Sequence, residues 1–174
     1  MINSLQHYSL KKVVPNIKKN ILSLLGKSTC NESTEPQIFR VRTQLLSKGR
    51  SDYTLARTKF LSIRIKCYAQ GGENVLHTHP GQDHTFIVLA GKAKFYGVNG
   101  EVTELTKNQG ILIPEGFYHN FSSCGDEPLV MLRISAEKGT KGPRRIGIDG
   151  QPLYGRSKEN NYQEKVPVEG LFYE

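Results

Sequence analysis

Short stretches of alternating apolar and polar residues, separated by turn residues, constrain the fold of this 174-residue chain most. Such period-two alternation predicts half-buried strands at residues 37–45 and 61–67, because every second side chain of a strand lies on one face. Further short segments that are predicted as strands lie at residues 85–89, 93–98, 101–105, 111–113, 118–121 and 129–134. We therefore predict an all-β sandwich or barrel.

Glycine and asparagine indicate where these strands turn. Gly91 separates residues 85–89 from residues 93–98, which predicts a hairpin there. Asn99-Gly100 predicts a second hairpin, because this dipeptide suits the tight turns that join antiparallel strands.

Composition changes along the chain and suggests three segments. Residues 1–36 are an N-terminal extension, in which Pro15 can begin a short helix before a polar linker. That helix either docks on the domain or lies on a membrane surface. Residues 37–136 form the predicted barrel. Residues 137–174 are polar and rich in Gly and Pro, and either wrap around the barrel or a partner subunit or are partly disordered.

The net charge of +8 is unevenly distributed. Residues 1–66 hold 13 Lys or Arg and 3 Asp or Glu, a balance of +10, whereas residues 67–136 hold 4 and 7, a balance of −3. We assign the positive charge to the N-terminal third and interpret it as a solvated surface. A nucleic-acid-binding arm is the alternative, but the chain has no nucleic-acid-binding motif, so we expect no nucleic-acid partner.

Cysteine usage and hydropathy predict a cytoplasmic protein. The three cysteines, Cys30, Cys67 and Cys124, are far apart and unsuited to a disulfide framework, which favours a reducing compartment. No apolar run approaches the length of about 18 residues that a membrane-spanning helix needs. We also expect no secretory signal, because no cleavage site follows the short apolar run at residues 21–25.

Four of the five histidines fall within 43 residues, and their spacing predicts a metal site. His77 and His79 are two apart, so on a strand both side chains lie on one face. His84 follows a Pro80-Gly81 turn and is expected on the neighbouring strand. His119 is expected on a distant strand, from which it reaches the same ion.

The first histidine segment resembles the first motif of the cupin superfamily. That motif has the form Gly, five residues, His-x-His, three or four residues, Glu, six residues, Gly. The chain matches it at Gly71, His77, His79 and Gly91, but His84 stands where the family has Glu.

The second histidine segment resembles the second cupin motif, which has the form Gly, five residues, Pro-x-Gly, two residues, His, three residues, Asn. The chain matches it at Pro114, Gly116 and His119, whereas Asn108 and Ser123 replace the family's Gly and Asn. The resemblance covers residues 60–136. It implies a double-stranded β-helix, the cupin jelly-roll barrel, with the two extensions outside it.

The resemblance implies that His77, His79, His84 and His119 bind a divalent transition metal. Imidazole ligands favour Fe, Mn, Ni, Cu or Zn, with Fe or Mn preferred. Because four neutral imidazoles leave the full charge of +2 on the ion, the site also favours an anionic ligand. Asp83 is an alternative ligand, although its parity points away from the site. Some cupins with all-histidine sites resemble this arrangement, and the activity implied is that of a dioxygenase-type oxidoreductase acting on a small anionic substrate.

Strand parity suggests which side chains line the substrate pocket. If His84 and His119 point inward, so do Phe86, Val88 and Phe121. Arg133 either faces inward to hold an anion or lies on the surface. The same interior is expected to contain alternate residues of one strand: Leu61, Ile63, Ile65 and Cys67.

Several functions remain open at this point, because a fold alone does not determine an activity. The alternatives to the oxidoreductase are a non-catalytic small-molecule-binding cupin and a cupin isomerase or cyclase. A closed structural metal site is a further alternative. The resemblance also implies a homodimer, since cupins often pair through barrel faces and terminal strands.

Overall fold

The computed structural model describes residues 32–70, 72–139 and 142–174. The predicted N-terminal helix and Gly71 of the first motif lie outside these residues. Within the described part, regular structure consists of strands and a single 3-10 turn at Lys158–Asn160. The strands are β1 (Thr43–Lys48), β2 (Arg50–Arg57), β3 (Leu61–Tyr68), β4 (His77–Thr78), β5 (Gln82–Ala90), β6 (Ala93–Gly97), β7 (Val102–Leu105), β8 (Gly110–Ile113), β9 (His119–Ser123), β10 (Leu129–Glu137), β11 (Ile146–Gly147) and β12 (Val166–Tyr173).

Two five-stranded antiparallel sheets face each other and form the barrel. One has the order β2-β3-β10-β5-β8 and the other β11-β4-β9-β6-β7. Aromatic rings from both sheets meet between them, as where Phe86 of β5 lies 5.5 Å from Phe121 of β9. The prediction of an all-β double-stranded β-helix is confirmed. No helix of the described residues is long and apolar enough to cross a membrane.

One of the two predicted hairpins is correct and the other is wrong. β6 and β7 pair across the Asn99-Gly100 turn, with Tyr96 opposite Val102. At Gly91, however, the chain crosses from one sheet to the other, because β5 pairs with β8 and β10 instead of β6. Gly91 has a φ of 71°, and a Cβ there would lie 2.8 Å from the Pro128 carbonyl oxygen. Glycine at this position therefore allows the chain to pass close to Pro128 where it crosses from one sheet to the other.

Apolar side chains form two clusters, one on each side of the sheet that contains β3. The cluster between the two sheets includes Phe86, Val88, Phe95 and Phe121. The second cluster lies on the outer face of the same sheet, under the strand pair β1–β12. It is built from buried residues of three segments: Leu46, Ile65, Cys67, Ala69 and Val130.

The expectation that Leu61, Ile63, Ile65 and Cys67 fill the barrel interior is therefore wrong. Ile65 and Cys67 are fully buried, but in the outer cluster, while Leu61 is 40% exposed. Because β1 and β12 cover the outer face of the sheet, that face is apolar as well. The alternation of apolar residues therefore does not show which face of β3 points into the barrel. The predicted strand at residues 37–45 is also shorter than expected, because pairing with β12 begins only at Thr43.

Candidate metal centre

Three histidines converge at one end of the barrel interior. His77 of β4 pairs directly with His119 of β9, and His79 follows β4 by one residue. All three are buried, with 2%, 7% and 2% exposure for His77, His79 and His119. One ring nitrogen from each lies within 4.8 Å of the others, so the group can hold a metal ion. His119 thus comes from the neighbouring strand and not, as predicted, from a distant one.

His84 reaches the group from the opposite sheet, on β5, and not from a strand next to β4 as predicted. Its ring centroid lies 4.1 Å from that of His79. Its Nε2 lies 3.0 Å from the side-chain oxygen of Gln82. The converging set of ligand atoms consists of His77, His79 and His119, so a fourth ligand at His84 stays a prediction.

Backbone carbonyls fix the orientation of the three converging imidazoles. The Nδ1 atoms of His77, His79 and His119 lie 2.6, 2.7 and 3.2 Å from the carbonyl oxygens of Val75, Arg144 and Phe117. An Nδ1–H that donates to a carbonyl leaves the Nε2 lone pair available for a metal.

The Nε2 atoms have little else to bind within the described part of the chain. Those of His77 and His79 lie 3.1 Å apart, and the buried Nε2 of His119 has no hydrogen-bond partner among the described residues. This donor set fits a divalent transition metal, since borderline ions favour imidazole nitrogen.

Burial keeps the histidines neutral, which is the form that binds metals. Desolvation, with a smaller effect from the charge of Arg145, lowers the pKa of His77 to about 2. Burial and then Arg133 lower the pKa of His84 to about 2. Burial also lowers the pKa of His119 to about 4, even though its hydrogen bond to Phe117 opposes the shift. The pKa of His79 is likewise far below its usual range, chiefly through burial.

Two motif residues show how the backbone supports the site. Gly116, in the turn before His119, has a φ of 80°, in the left-handed region that favours glycine. Asn108, which replaces the family's glycine in the second motif, has a φ of 67°. Asparagine is among the few other residues that adopt this region readily, so the replacement preserves the local backbone.

The inner face of the β3 sheet is charged where it approaches the histidines. Arg64 of β3 lies opposite Arg133 of β10, and Lys66 lies opposite Met131. Lys66 is only 4% exposed, and its Nζ lies 3.3 Å from an Asp52 carboxylate oxygen. Arg64 and Lys66 alternate in sequence with Ile63, Ile65 and Cys67, so the expectation that those residues fill the interior implies the opposite face for the two cations. The pairing of β3 with β10 places Arg64 and Lys66 on the same face as Arg133 and Met131. Because Met131 belongs to the core between the sheets, this face is the inner one.

A cavity of about 680 Å³ opens beside the cluster. Its volume lies within the range typical of small-molecule sites. The lining combines barrel residues with residues of the C-terminal segment 142–155, and it includes His79, Gln82, Asp52, Arg64, Arg133, Arg144, Arg145 and Tyr154. The sequence provided no signal for Arg145, because nothing in the local pattern links its segment to the histidines.

The other candidate pocket residues lie as follows. Arg133 faces inward, which was one of the two alternatives for it. Phe86, Val88 and Phe121 also point inward and belong to the packed core; their role as pocket walls stays a prediction. The carboxylate of Asp83 instead accepts a hydrogen bond of 2.8 Å from the backbone N–H of Glu115.

Comparison with protein families agrees with this geometry. Residues 64–135 match the model of the family described as "Cupin domain". This stretch contains β4, β5 and β9, and with them all four histidines of the two motifs. No curated protein matches the chain.

Solved structures are similar to part of this chain. A conserved protein of unknown function from Streptococcus pyogenes is 21% identical, with a TM-score of 0.51, and the alignment covers 66% of this chain and 98% of that one. An uncharacterized protein with a double-stranded β-helix domain from Klebsiella pneumoniae is 24% identical, with coverages of 51% and 77% and a TM-score of 0.47. The DMSP lyase DddQ from Ruegeria pomeroyi is 17% identical, with coverages of 59% and 53% and a TM-score of 0.49. At these identities the likeness concerns the fold alone. On the evidence of the family match, residues 64–135 of this chain form a cupin domain.

Proposed function

We propose that this chain is a metal-dependent cupin oxidoreductase of the dioxygenase type, acting on a small anionic organic substrate. The observation that supports this proposal best is the group of three buried imidazoles whose free nitrogens converge beside a cavity lined by arginines. In the proposal, His77, His79 and His119 hold a divalent metal and His84 completes the set.

The donor set determines the kind of metal. Neutral imidazoles do not reduce the charge of the ion, and they suit Fe, Mn, Ni, Cu or Zn better than the hard ions Mg and Ca. We favour Fe or Mn, because a redox-active ion supplies Lewis acidity together with a centre for oxidation.

The protein's own groups would attract and confine the substrate. Arg133 and Arg145 provide positive charge at the cavity wall, which favours a negatively charged ligand. Phe86 lies 6.0 Å from His84 and 6.1 Å from His119, measured between ring centroids, and separates the histidines from the apolar core. The C-terminal segment provides the other wall and, through the carbonyl of Arg144, the hydrogen-bond partner of His79.

The proposal is tested by metal analysis followed by oxygen uptake. Protein loaded with Fe(II) or Mn(II) is mixed in an oxygen electrode with enolisable 2-oxo acids and 1,3-diketones, which can bind a metal through two oxygens. We expect metal-dependent oxygen uptake with at least one of them, and its loss in a His77→Ala/His119→Ala variant.

Other outcomes would replace the proposed reaction. Stoichiometric metal with ligand binding but no turnover would indicate a non-catalytic binding module. Turnover without oxygen consumption would indicate an isomerase or cyclase. The homodimer and the location in a reducing cytosol both stay predictions. Light scattering of the purified chain tests whether it forms a dimer.

A further inference from the structure

Two arginines at the cavity wall form no ion pair with any residue that the structure describes. Arg133 and Arg145 both line the cavity, and the Nε atom of each is buried without a hydrogen-bond partner among the described residues. All ion pairs within the described part of the chain involve other side chains. Arginine is seldom buried without a partner, since a desolvated unpaired charge is costly.

The neighbouring cations, in contrast, are paired. Arg64 donates from Nε to Asp52 over 2.6 Å, and Lys66 lies against the other oxygen of the same carboxylate. Arg144 lies 3.2 Å from Glu137 and is 63% exposed. Asp52 is thus in direct contact with two other cations. Its charge also acts on Arg133 and Arg145 from a longer distance, but no carboxylate of the described residues forms an ion pair with either arginine.

The two unpaired arginines approach the histidines from different elements. Arg133 lies on β10 opposite Phe86, two residues from Ser135, which lies opposite His84. Arg145 immediately precedes β11, which pairs with the strand that contains His77. Both side chains line the same cavity as His79. They therefore border one shared space next to the candidate metal centre.

We propose that Arg133 and Arg145 form an oxyanion subsite separate from the metal ligands, which holds a carboxylate or phosphate group of the substrate. The substrate would then be a small acid with two oxygen-bearing functions on different atoms, one at the metal and one at the arginines. The part that concerns the metal rests on the proposed function, whereas the arginine subsite does not need the metal.

The chemistry of guanidinium suits this role. An arginine can bind a carboxylate or phosphate through two parallel N–H···O bonds, which are charge-assisted and stronger than neutral hydrogen bonds. A bound anion would also form the direct ion pair that no described carboxylate makes with these two arginines. The cavity of about 680 Å³ is large enough for a small acid of this kind.

The subsite is tested by calorimetric titration of the full chain, free of metal, with succinate and with inorganic phosphate. We expect at least one of them to bind, and the tighter of the two to identify the preferred oxyanion. Arg133→Gln and Arg145→Gln should each weaken binding at least about 10-fold, the effect typical of losing a charge-assisted hydrogen bond. Arg42→Gln is the matched control, because the Arg42 side chain is paired with Glu174 and does not line the cavity, and it should change affinity less than about 2-fold.

Equal binding by wild type and both variants would overturn the proposal, as would the absence of binding by the wild type at millimolar concentration. Metal content distinguishes this failure from failure of the proposed function. Variants that keep the metal but lose the anion support the subsite, whereas a wild type that binds the anion but no metal contradicts only the metal-dependent activity. If Arg133→Gln does not fold, Arg133→Lys decides, since it keeps the charge, loses the two-pronged geometry and should also weaken binding.

Discussion

The two faces of the sheet β2-β3-β10-β5-β8 differ in chemistry although the same strands build both. The outer face places Ile65, Cys67 and Val130 in a closed apolar cluster under β1 and β12. The inner face of the same strands presents Arg64 and Arg133 to a cavity beside the histidines. The outer face therefore contributes stability by burying apolar area. The inner face also contributes apolar side chains such as Phe86 and Met131 to the core between the sheets, but beside the histidines it holds charge in a partly buried position where it can act on a ligand.

This contrast predicts that substitutions on the two faces affect different properties. Changes on the outer face should lower the free energy of unfolding and leave ligand binding intact. Changes at the cavity and the histidines should alter metal or anion binding and leave the fold intact. The predictions below test this separation.

Substitution of His119 by Ala should have the largest effect. It removes a buried nitrogen that has no partner among the described residues, so metal affinity should fall by more than about 100-fold, beyond the loss seen for groups that only orient a ligand. Metal titration monitored by mass spectrometry measures the metal affinity, and circular dichroism verifies that the variant is folded. His7→Ala, outside both motifs, is the control. Unchanged metal binding by His119→Ala would contradict the cluster as a metal site.

Substitution of Ile65 by Ala should cost about 2–5 kcal/mol of unfolding free energy, because it opens a cavity in the outer cluster. Ile65 is fully buried, whereas Leu61 on the same strand is 40% exposed. Urea unfolding of Ile65→Ala and of the control Leu61→Ala checks this difference. Metal bound per folded chain should stay unchanged in both, and a loss of metal in Ile65→Ala would break the proposed separation of the two faces.

Acid should destabilise the metal-free protein between pH 6.5 and about pH 4. Burial lowers the pKa of His119 from 6.5 to about 4 and those of His77 and His84 further. Below pH 6.5 the unfolded chain takes up protons that the folded chain does not, so stability falls as pH falls, by about 1.4 kcal/mol per pH unit for each histidine.

Urea unfolding of chelator-treated protein across this range measures the effect. The slope should be smaller in His77→Gln by the contribution of one histidine. A stability that does not change between pH 6.5 and 4 would mean that the histidines are not buried in their neutral form.

Substitution of Arg133 by Met should produce the smallest effect and one of opposite sign. Removing an unpaired, partly buried charge should raise the stability of the anion-free protein by about 1 kcal/mol. Arg64 lies opposite Arg133 on the neighbouring strand β3 and provides the matched control. Arg64→Met should lower the free energy of unfolding, because Arg64 is paired with Asp52. Thermal unfolding in buffer without phosphate or carboxylate compares the two variants, and destabilisation by Arg133→Met would indicate that the charge already has a partner.

The sequence predicts the fold and the convergence of His77, His79 and His119 well, because both depend on local spacing, whereas a ligand role for His84 stays a prediction. The His-x-His pair needs only the two-residue repeat of a strand, and the Asn99-Gly100 turn needs only its own backbone preference. The chain crossing at Gly91 could not be predicted, since β5 has partners 20 or more residues away on β8 and β10. A glycine with positive φ suits either a hairpin or a crossing.

The charged half of the site depends on tertiary packing, and sequence reasoning missed most of it. Alternation in β3 identifies two faces but not which one points inward, because β1 and β12 make the outer face apolar as well. The distribution of charge along the sequence also predicts that the positive charge lies in the N-terminal third and not near the histidines. In the folded chain, cations from β3, β10 and the segment before β11 meet at one cavity.

The central claim is that the buried histidines hold a divalent transition metal, and metal analysis of the full chain purified without chelator tests it most directly. We predict about one Fe, Mn, Ni, Cu or Zn ion per chain, and its loss in His77→Ala/His119→Ala with the β-sheet spectrum retained. A wild-type protein that holds no metal after incubation with each of these ions, or a double variant that keeps it in full, would contradict the account.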